Sequence, residues 1–592
     1  MRSFLQRWFE ATVSALVYSL VNEVSCSPAD AKLHVTPNPT VRFVLAEHRR
    51  MTDYLRLPIA ALTVAFDVAG LLFHRKTPQR RAGQIKVWRE SSISPCRNLI
   101  RFYENLTMLG RVGLKSETVE VTPHVVSARA NRGEVIVIGS GPGGAITACL
   151  LAEAGKQVIL LEEGPHLPLE SCEPFSIQEV VQKYRNGGVT AALGANPIAY
   201  AEGRCVGGGS EINSGLYHRT PPDMLERWRR EFEVEGLDES FLLPLFEAGE
   251  RDLSVTAHAG PLPPISRMLG DGARARGWKS SEVPRWINNG TRQSMTKTYI
   301  PRAIAAGCTL QAETRVRNMH RSSGTWHLEA TGPGGVAVSF DAESVFVCGG
   351  AIHSAALLRR SELSVNAGRN LQMHPTVKVV AEFAEPINEE HSGVAAHQVK
   401  EFSPLFSFGC SISTPPFLSV ALADSPREGL DLDRRWKHMA IYYAMIVPEG
   451  RGRVTPIAGF NDPVVRYALT LTDRRNLARA LRVLCENLFA GGAIRVFPCT
   501  RPAQWLTSSE LSKLPEILDN GQSGLMTVHL TSSCAMGERR DVATVDSFGR
   551  VFGQNHLYVS DAGILCTAPG VNPQGTIMAL ARRNALRYLG KI

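Results

Sequence analysis

Apolar residues follow two rhythms along this chain, and they first meet near residue 139. Val135-Ile-Val-Ile138 is a short unbroken apolar run, the pattern of a strand buried on both faces. It leads into Gly139-Ser-Gly141-Pro-Gly-Gly144. The residues that follow predict a helix stopped by Gly155, then a second buried strand, Val158-Ile-Leu-Leu161, ending at Glu162. A strand, glycine turn, helix and strand in this order suit a dinucleotide. Gly139 permits the tight turn, Gly141 lets backbone approach a pyrophosphate, and Gly144 lets the helix pack on the strand. The helix points its free N–H groups and the positive end of its dipole at the phosphates. A carboxylate at Glu162 can accept hydrogen bonds from a ribose.

The same logic returns at Val345-Phe-Val-Cys348, followed by Gly349-Gly350 and a helix over Ala351 to Arg360. Elsewhere the pattern differs. Residues 1–125 predict a mostly helical N-terminal region. Beyond 376, Val377 to Phe383, Met439 to Val447 and Val464 to Leu471 read as strands of one antiparallel sheet. Leu477, Leu481, Leu484 and Leu488 share one face of an amphipathic helix that Gly491-Gly492 stops. A sheet covered by helix on one face leaves its other face free as a substrate wall. Asn572 before Pro573 predicts a helix start, with Asn as N-cap and Pro at the first helical position. The expected fold class is α/β. A helical extension (1–125) precedes a dinucleotide-binding domain (126–375, with a substrate-side insertion near 256–300). A substrate domain (376–525) follows, and the chain then returns to the first domain (526–592).

Composition narrows the class. With 592 residues, 44% hydrophobic and 20% charged, the chain is globular and large enough for two domains or more. Its twelve cysteines include no CxxC pair, so neither a disulfide scaffold nor a metal site is expected. Cys149, Cys205, Cys348, Cys534 and Cys566 read as buried thiols acting as small apolar residues.

The net charge is +9. Basic residues crowd around His48-Arg-Arg50, Arg75-Lys76, Arg80-Arg81, Lys86 and Arg89, on either side of an apolar run from Leu57 to Phe73. That run is slightly short for a membrane span, begins with Pro58 and carries Asp67. It predicts a buried or interfacial helix. A membrane surface is a candidate contact for residues 48–90, and a solvated basic face is the plainer reading. No motif accompanies the charge that would suit nucleic acid. Ala11 to Val21 followed by Ala29-Asp-Ala31 faintly imitates a signal peptide, but Arg7 and Glu10 interrupt its apolar core. A cytoplasmic location, with or without a peripheral membrane contact, is the expectation.

Several motifs in a fixed order resemble one family, the glucose–methanol–choline (GMC) flavin oxidoreductases. They are the first strand–helix–strand unit, Gly203 to Gly215, Gly350-Ala-Ile-His-Ser354 with Leu357-Leu358, Gly368-Arg-Asn-Leu371, and nearly all of 527–585. Within the family, the glycine run with Asn213 and the His529/Asn572 pair resemble the cholesterol-oxidase branch. The helical extension, with Trp88 followed by Ser91-Ser92, resembles long-chain alcohol oxidases. There are departures. Ser361-Glu362 stands where the family usually has Ser-Gly, and Asn572 replaces a second catalytic histidine. The glycine run also has no histidine to carry a covalent flavin.

The resemblance implies noncovalent FAD. Its pyrophosphate would lie at Gly139, Gly141 and Gly144, its ribose at Glu162 and its adenine at Val316. Gly207, Gly208 and Asn213 would lie along the flavin, with Asp561 and Ala562 near the ribityl chain and ring. An apolar alcohol, such as a long-chain alcohol or sterol, would sit between His529 and Asn572. Oxidising it removes a hydride to flavin N5 and a proton to a base, and a histidine of near-neutral pKa suits the second task. Taken alone, Asn572 is an N-cap and His529 a core histidine; their joint place in the motif makes them catalytic candidates. His353 and His374 read as structural, and His218 as a candidate for lining the site. The electron acceptor is oxygen or a quinone-like carrier. The rival readings are a lyase on the same scaffold and a non-catalytic membrane-associated binding protein.

Overall fold

In the computed structural model, which describes residues 2–22, 38–113, 123, 130–257, 261–389, 396–425 and 432–592, the strand Arg132–Ile138 is the centre of the first sheet. It runs parallel to Val158–Leu161 on one side and to Ala337–Val347 on the other. Thr309–Gln311 and Leu557–Val559 extend the parallel set. Thr325–Thr331 and Arg315–Ser322 then fold back antiparallel. Val135, Ile136 and Val137 are fully buried because helix covers the sheet, as an all-apolar strand requires. The helix Pro142–Glu153 packs there, and the C-terminal helix Gln574–Tyr588 packs against it. The carboxyl ends of the parallel strands, at Gly139, Glu162, Cys348 and Ser560, gather at one edge, where ligands of open α/β sheets bind.

The second sheet has nine strands, almost all antiparallel. Its centre is Thr376–Phe383, paired with Met439–Ile446, Ala493–Phe497 and Leu525–Thr527. Phe406–Cys410 and His397–Val399 continue it on one side. Ile198–Tyr200 joins Leu525–Thr527 in parallel on the other. The helix Leu471–Ala490 lies on one face and buries Leu477, Leu481, Leu484 and Leu488. It starts from a Thr470/Asp473 capping box, and its last turn ends at Gly491. Val464–Ala468, expected in this sheet, pairs instead with Arg451–Thr455 in a separate two-stranded ribbon. Apolar alternation marks a strand but carries no information about its partner.

Five helices form the N-terminal region among the described residues: α1 (Arg2–Asn22), α2 (Pro39–Arg50), α3 (Asp53–Ala69), α4 (Pro78–Arg89) and α5 (Ser94–Gly113). They build their own core from residues such as Leu16, Phe43, Phe66, Phe73, Ile100 and Tyr103. The apolar run after Leu57 is α3, which begins before Pro58 rather than at it. Asp67, in the middle of that run, is fully buried. It accepts from the Trp8 indole at 2.8 Å and the His74 backbone N–H at 2.9 Å, so its charge is satisfied inside the bundle. None of the described helices is long and apolar enough to cross a membrane. Ala29-Asp-Ala31 of the leader-like stretch lies outside the described residues. Cys149, Cys205, Cys348, Cys534 and Cys566 are all buried free thiols.

Candidate active site

Between the two sheets and the N-terminal helices lies a chamber of about 920 Å³. That is near the top of the usual range for small-molecule sites, roughly 300–1,000 Å³. Gly139, Gly141, Glu162, Gly208, Asn213, Val316, Asp561, Ala562, His529 and Asn572 all line it, while Gly144 and Gly207 lie behind the wall.

At one end the backbone shapes the wall. Gly139 has φ +100°, and a Cβ there would stand 2.3 Å from the Cys348 carbonyl oxygen. A Cβ on Gly144 would meet the Gly139 carbonyl oxygen at 1.9 Å, so the helix can approach the strand only without a side chain. Gly141 opens into free space. The carboxylates behind this surface are held by the protein. Glu162 accepts from the Ser140 backbone N–H (3.0 Å), the Ser140 hydroxyl (2.6 Å) and the Gly164 N–H (2.8 Å). Ser140 Oγ in turn accepts from the Gly207 N–H at 3.0 Å, tying the two glycine clusters together. Asp561 accepts from the Gly350 N–H (2.8 Å), the Gly563 N–H (2.7 Å) and the Ser354 hydroxyl (2.5 Å). Burial raises the pKa of both carboxyls, and these donors oppose the rise.

At the other end distant side chains form a hydrogen-bonded chain. His529 Nε2 lies 3.2 Å from Asn572 Nδ2, and His529 Nδ1 lies 3.0 Å from His374 Nδ1. The Gly570 N–H donates to His374 Nε2 at 2.9 Å. Gln398 Nε2 donates to Asn572 Oδ1 (3.2 Å) and to the Tyr443 hydroxyl (3.0 Å). Asn572 is therefore not the expected N-cap. The helix begins at Gln574 with no side-chain cap, and the Asn572 oxygen goes to Gln398. A partner across the chamber replaces the local one. Asn213 likewise spends its amide on Gln574 Oε1 (2.5 Å) and accepts the Gly215 N–H (2.9 Å).

The proton order along this chain has two solutions. The Gly570 amide can only donate, so His374 accepts at Nε2 and, being neutral, carries its hydrogen on Nδ1. His529 Nδ1 must then be a lone pair, with its hydrogen on Nε2. The Asn572 amino group demands the reverse from the other end: a lone pair on His529 Nε2 and a hydrogen on Nδ1. The second order makes Nε2 an acceptor and costs the Gly570 contact, about 1–3 kcal/mol.

Burial, then the Lys400 ammonium, pushes the His529 pKa down to about 4. Burial also holds His374 well below the ordinary histidine range. His529 is thus neutral through physiological pH. Among the described residues Lys400 Nζ is itself buried without a hydrogen-bond partner, and burial lowers its pKa to about 8.

His374, Gln398, Tyr443 and Lys400 were not singled out as site residues from sequence. His218 does not line the chamber; it sits behind the wall, its pKa lowered to about 3 by burial and then by Lys400 and His529. His353, read as structural, lines the chamber near Glu202, 3.8 Å away.

The comparisons agree with this geometry. The family model "GMC oxidoreductase" matches residues 181–376 and 448–581, and an FAD binding domain model matches 132–201. A GMC-type oxidoreductase of Sinorhizobium fredii is 40% identical over 476 residues, covering 76% of this chain and 94% of the relative. Long-chain-alcohol oxidase FAO3 of Arabidopsis thaliana is 25% identical, covering 76% of this chain and 66% of the relative. The crystal structure of pyridoxine 4-oxidase from Mesorbium loti shares the fold, with a TM-score of 0.59 at 19% identity. It covers 77% of this chain and 99% of that one. The chain belongs to the GMC oxidoreductase family. It is a flavoprotein oxidoreductase whose cofactor is FAD, and the chamber fits that group. Gly141 leaves room for a pyrophosphate at the start of a helix, and a side chain on Gly208 would strike Gly141 Cα at 2.9 Å.

Proposed function

We propose that the protein oxidises the carbinol of an apolar alcohol, a long-chain alcohol or a sterol, with noncovalently bound FAD. The observation that carries this reading is the His529–Asn572 contact, 3.2 Å, on the wall of the same chamber that bears Gly141 and Gly208. Asn572 donates to the hydroxyl oxygen through Nδ2, while its own oxygen is steadied by Gln398. In the proton order that frees Nε2, the neutral His529 accepts the hydroxyl proton. Bound FAD supplies the two-electron acceptor for the carbinol carbon, with oxygen or a quinone-like carrier accepting the electrons afterwards.

Gly139, Gly141 and Gly144 would hold the pyrophosphate, Glu162 the ribose and Val316 the adenine. Gly207, Gly208, Asn213, Asp561 and Ala562 would flank the flavin. The absence of histidine from Gly203–Gly215 supports noncovalent attachment. The roof of the chamber supports an apolar substrate. Met51, Leu55 and Ile59 from the N-terminal helices and Phe102 and Leu106 from α5 roof the chamber. Relatives named long-chain-alcohol oxidase and 5-(hydroxymethyl)furfural oxidase support an alcohol in general. Leu57, Val68, Leu71 and Val87 are exposed among basic residues, Leu71 at 83%, which supports a peripheral lipid contact through residues 48–90.

The test is anaerobic flavin bleaching by fatty alcohols, sterols, sugars and choline. His529→Ala should retain flavin and lose roughly 10²–10⁴-fold in reduction rate. Wild-type rates in that variant would remove His529 as the base, and a protein that cannot be reconstituted with FAD would end the reading.

A further inference from the structure

The charged side chains on the chamber wall are matched, with one exception. Glu162 and Asp561 are held by backbone amides and hydroxyls. Glu163 pairs with Arg185 and Arg315 at 3.0 and 3.2 Å, and Glu202 lies 3.9 Å from Arg185. Asp424 is shared by Arg101 (3.3 Å) and Arg501 (3.0 Å). Arg360 donates to the Arg317 carbonyl oxygen. Lys378 also lines the chamber, and among the described residues its ammonium has neither a hydrogen-bond nor an ion-pair partner.

Its place in the fold explains why. Lys378 lies in the central strand Thr376–Phe383, directly opposite Tyr443. Its neighbours Val377 and Val379 point into the helix-covered core, so Lys378 points the other way, into the chamber. What surrounds it there is largely apolar: Met445 and Met526 on the sheet, Phe417 and Val420 facing it from the helix Pro415–Ala421. Burial lowers its pKa, the response of an ammonium removed from water without a counter-charge.

We propose that Lys378 receives an anionic group of the substrate, and that the substrate is a hydroxy acid whose carbinol and carboxylate are joined by an apolar chain. This rests on the alcohol-oxidation reading above and makes its substrate class more specific. Lys378 lies two residues beyond Thr376, which pairs with Met526, three residues from His529. Because the two strands are antiparallel these offsets add to five residues, and by strand rise the two backbone positions stand roughly 16 Å apart. Short hydroxy acids do not span that distance, whereas ω-hydroxy acids of medium chain length do.

The experiment compares ω-hydroxydecanoate, its methyl ester and 1-decanol by anaerobic flavin reduction in the wild-type holoenzyme, Lys378→Met and Lys378→Arg. The wild type should favour the acid over its ester by roughly tenfold to a hundredfold in kcat/KM. Lys378→Met should abolish that preference while still oxidising decanol, and Lys378→Arg should keep it. A second arm needs no turnover. Decanoate should perturb the flavin absorption of the wild type and not of Lys378→Met. Equal rates for acid and ester in the wild type, or decanoate binding that survives Lys378→Met, overturns the proposal. So does loss of flavin from Lys378→Met, which would assign the lysine to the cofactor. If decanoate binds as expected but no alcohol bleaches the flavin, the alcohol reading fails while the anion site stands.

Discussion

The two ends of the chamber solve the problem of buried polar groups in opposite ways. At the glycine-rich end the protein itself steadies two of the lining carboxylates. Glu162 takes three donors from Ser140 and Gly164, and Asp561 takes three from Gly350, Ser354 and Gly563. At the sheet end polar groups are left over. Among the described residues Lys400 Nζ is buried without a hydrogen-bond partner, and Lys378 has none either. A buried polar group left unpaired costs free energy, so it persists where a ligand supplies the partner or where the chemistry uses the cost. The glycine-rich end is a finished mould for a cofactor of fixed shape. The sheet end is incomplete, and its open valences describe what must come and go.

Breaking the finished end should have the largest effect. A Cβ at Gly144 would meet the Gly139 carbonyl oxygen at 1.9 Å and Cys348 Cβ at 3.0 Å, neither of which can move aside as a flexible side chain would. Gly144→Ala must push the helix Pro142–Glu153 off its strand and with it the amides at its start, where the pyrophosphate is proposed to lie. FAD content on purification should fall by about a hundredfold or more, equivalent to roughly 3 kcal/mol of lost affinity. The measurement is the ratio of flavin to protein absorbance with circular dichroism as a control for folding. Full flavin content in a folded Gly144→Ala would show that the mould tolerates what its geometry forbids.

The same contrast governs how much could be read in advance. Residues 135–164 carry their strand, turn, helix and acid in one contiguous stretch, so local rules suffice. The sheet end is assembled from segments far apart in sequence. Gln398 and Asn572 are 174 residues apart, and His374 and His529 are 155 apart. No local rule joins them, and His529 and Asn572 were legible only because a family motif links them. The N-cap rule misassigned the Asn572 side chain because a tertiary partner outbid the helix amide. One signal was available and passed over. Lys378 interrupts an otherwise apolar run from Val377 to Ala381, and an unexplained charge in a central strand marks a face that is not simple core.

Sharpening the incomplete end begins with Lys400. Burial and the Lys400 charge together hold His529 at about 4, against an ordinary value of 6.5. Lys400→Met removes the second cause and leaves the first, so the His529 pKa rises without reaching its ordinary value. The acid limb of flavin reduction by alcohol should move upward with it. A stability consequence follows with the same sign. A depressed histidine contributes stability that is present in full above the unfolded value near 6.5 and lost as pH falls toward 4. The variant should therefore lose less stability across that window. An acid limb that stays in place, or moves down, would mean that Lys400 does not reach the histidine.

The smallest effect is the most discriminating, because it separates the two proton orders of the histidine pair. In one order the Gly570 amide fixes the His374 hydrogen on Nδ1 and makes His529 a donor at Nε2. In the other, His529 donates from Nδ1 and is free to act as a base. In His374→Asn the amide oxygen falls near the position of His374 Nδ1, so it can accept from His529 Nδ1 and favours the basic form. In His374→Gln the amide reaches toward Gly570 and leaves His529 Nδ1 unsupported. If His374 acts through the tautomer of His529, His374→Asn should reduce flavin within about threefold of the wild type or faster, and His374→Gln should be about tenfold slower, the range of one hydrogen bond. The pH profiles should keep the same shape, since neither variant adds a charge near His529. A merely structural His374 would give two variants impaired alike, with KM and kcat falling together. That outcome would return the histidine to the packing role its sequence position suggests.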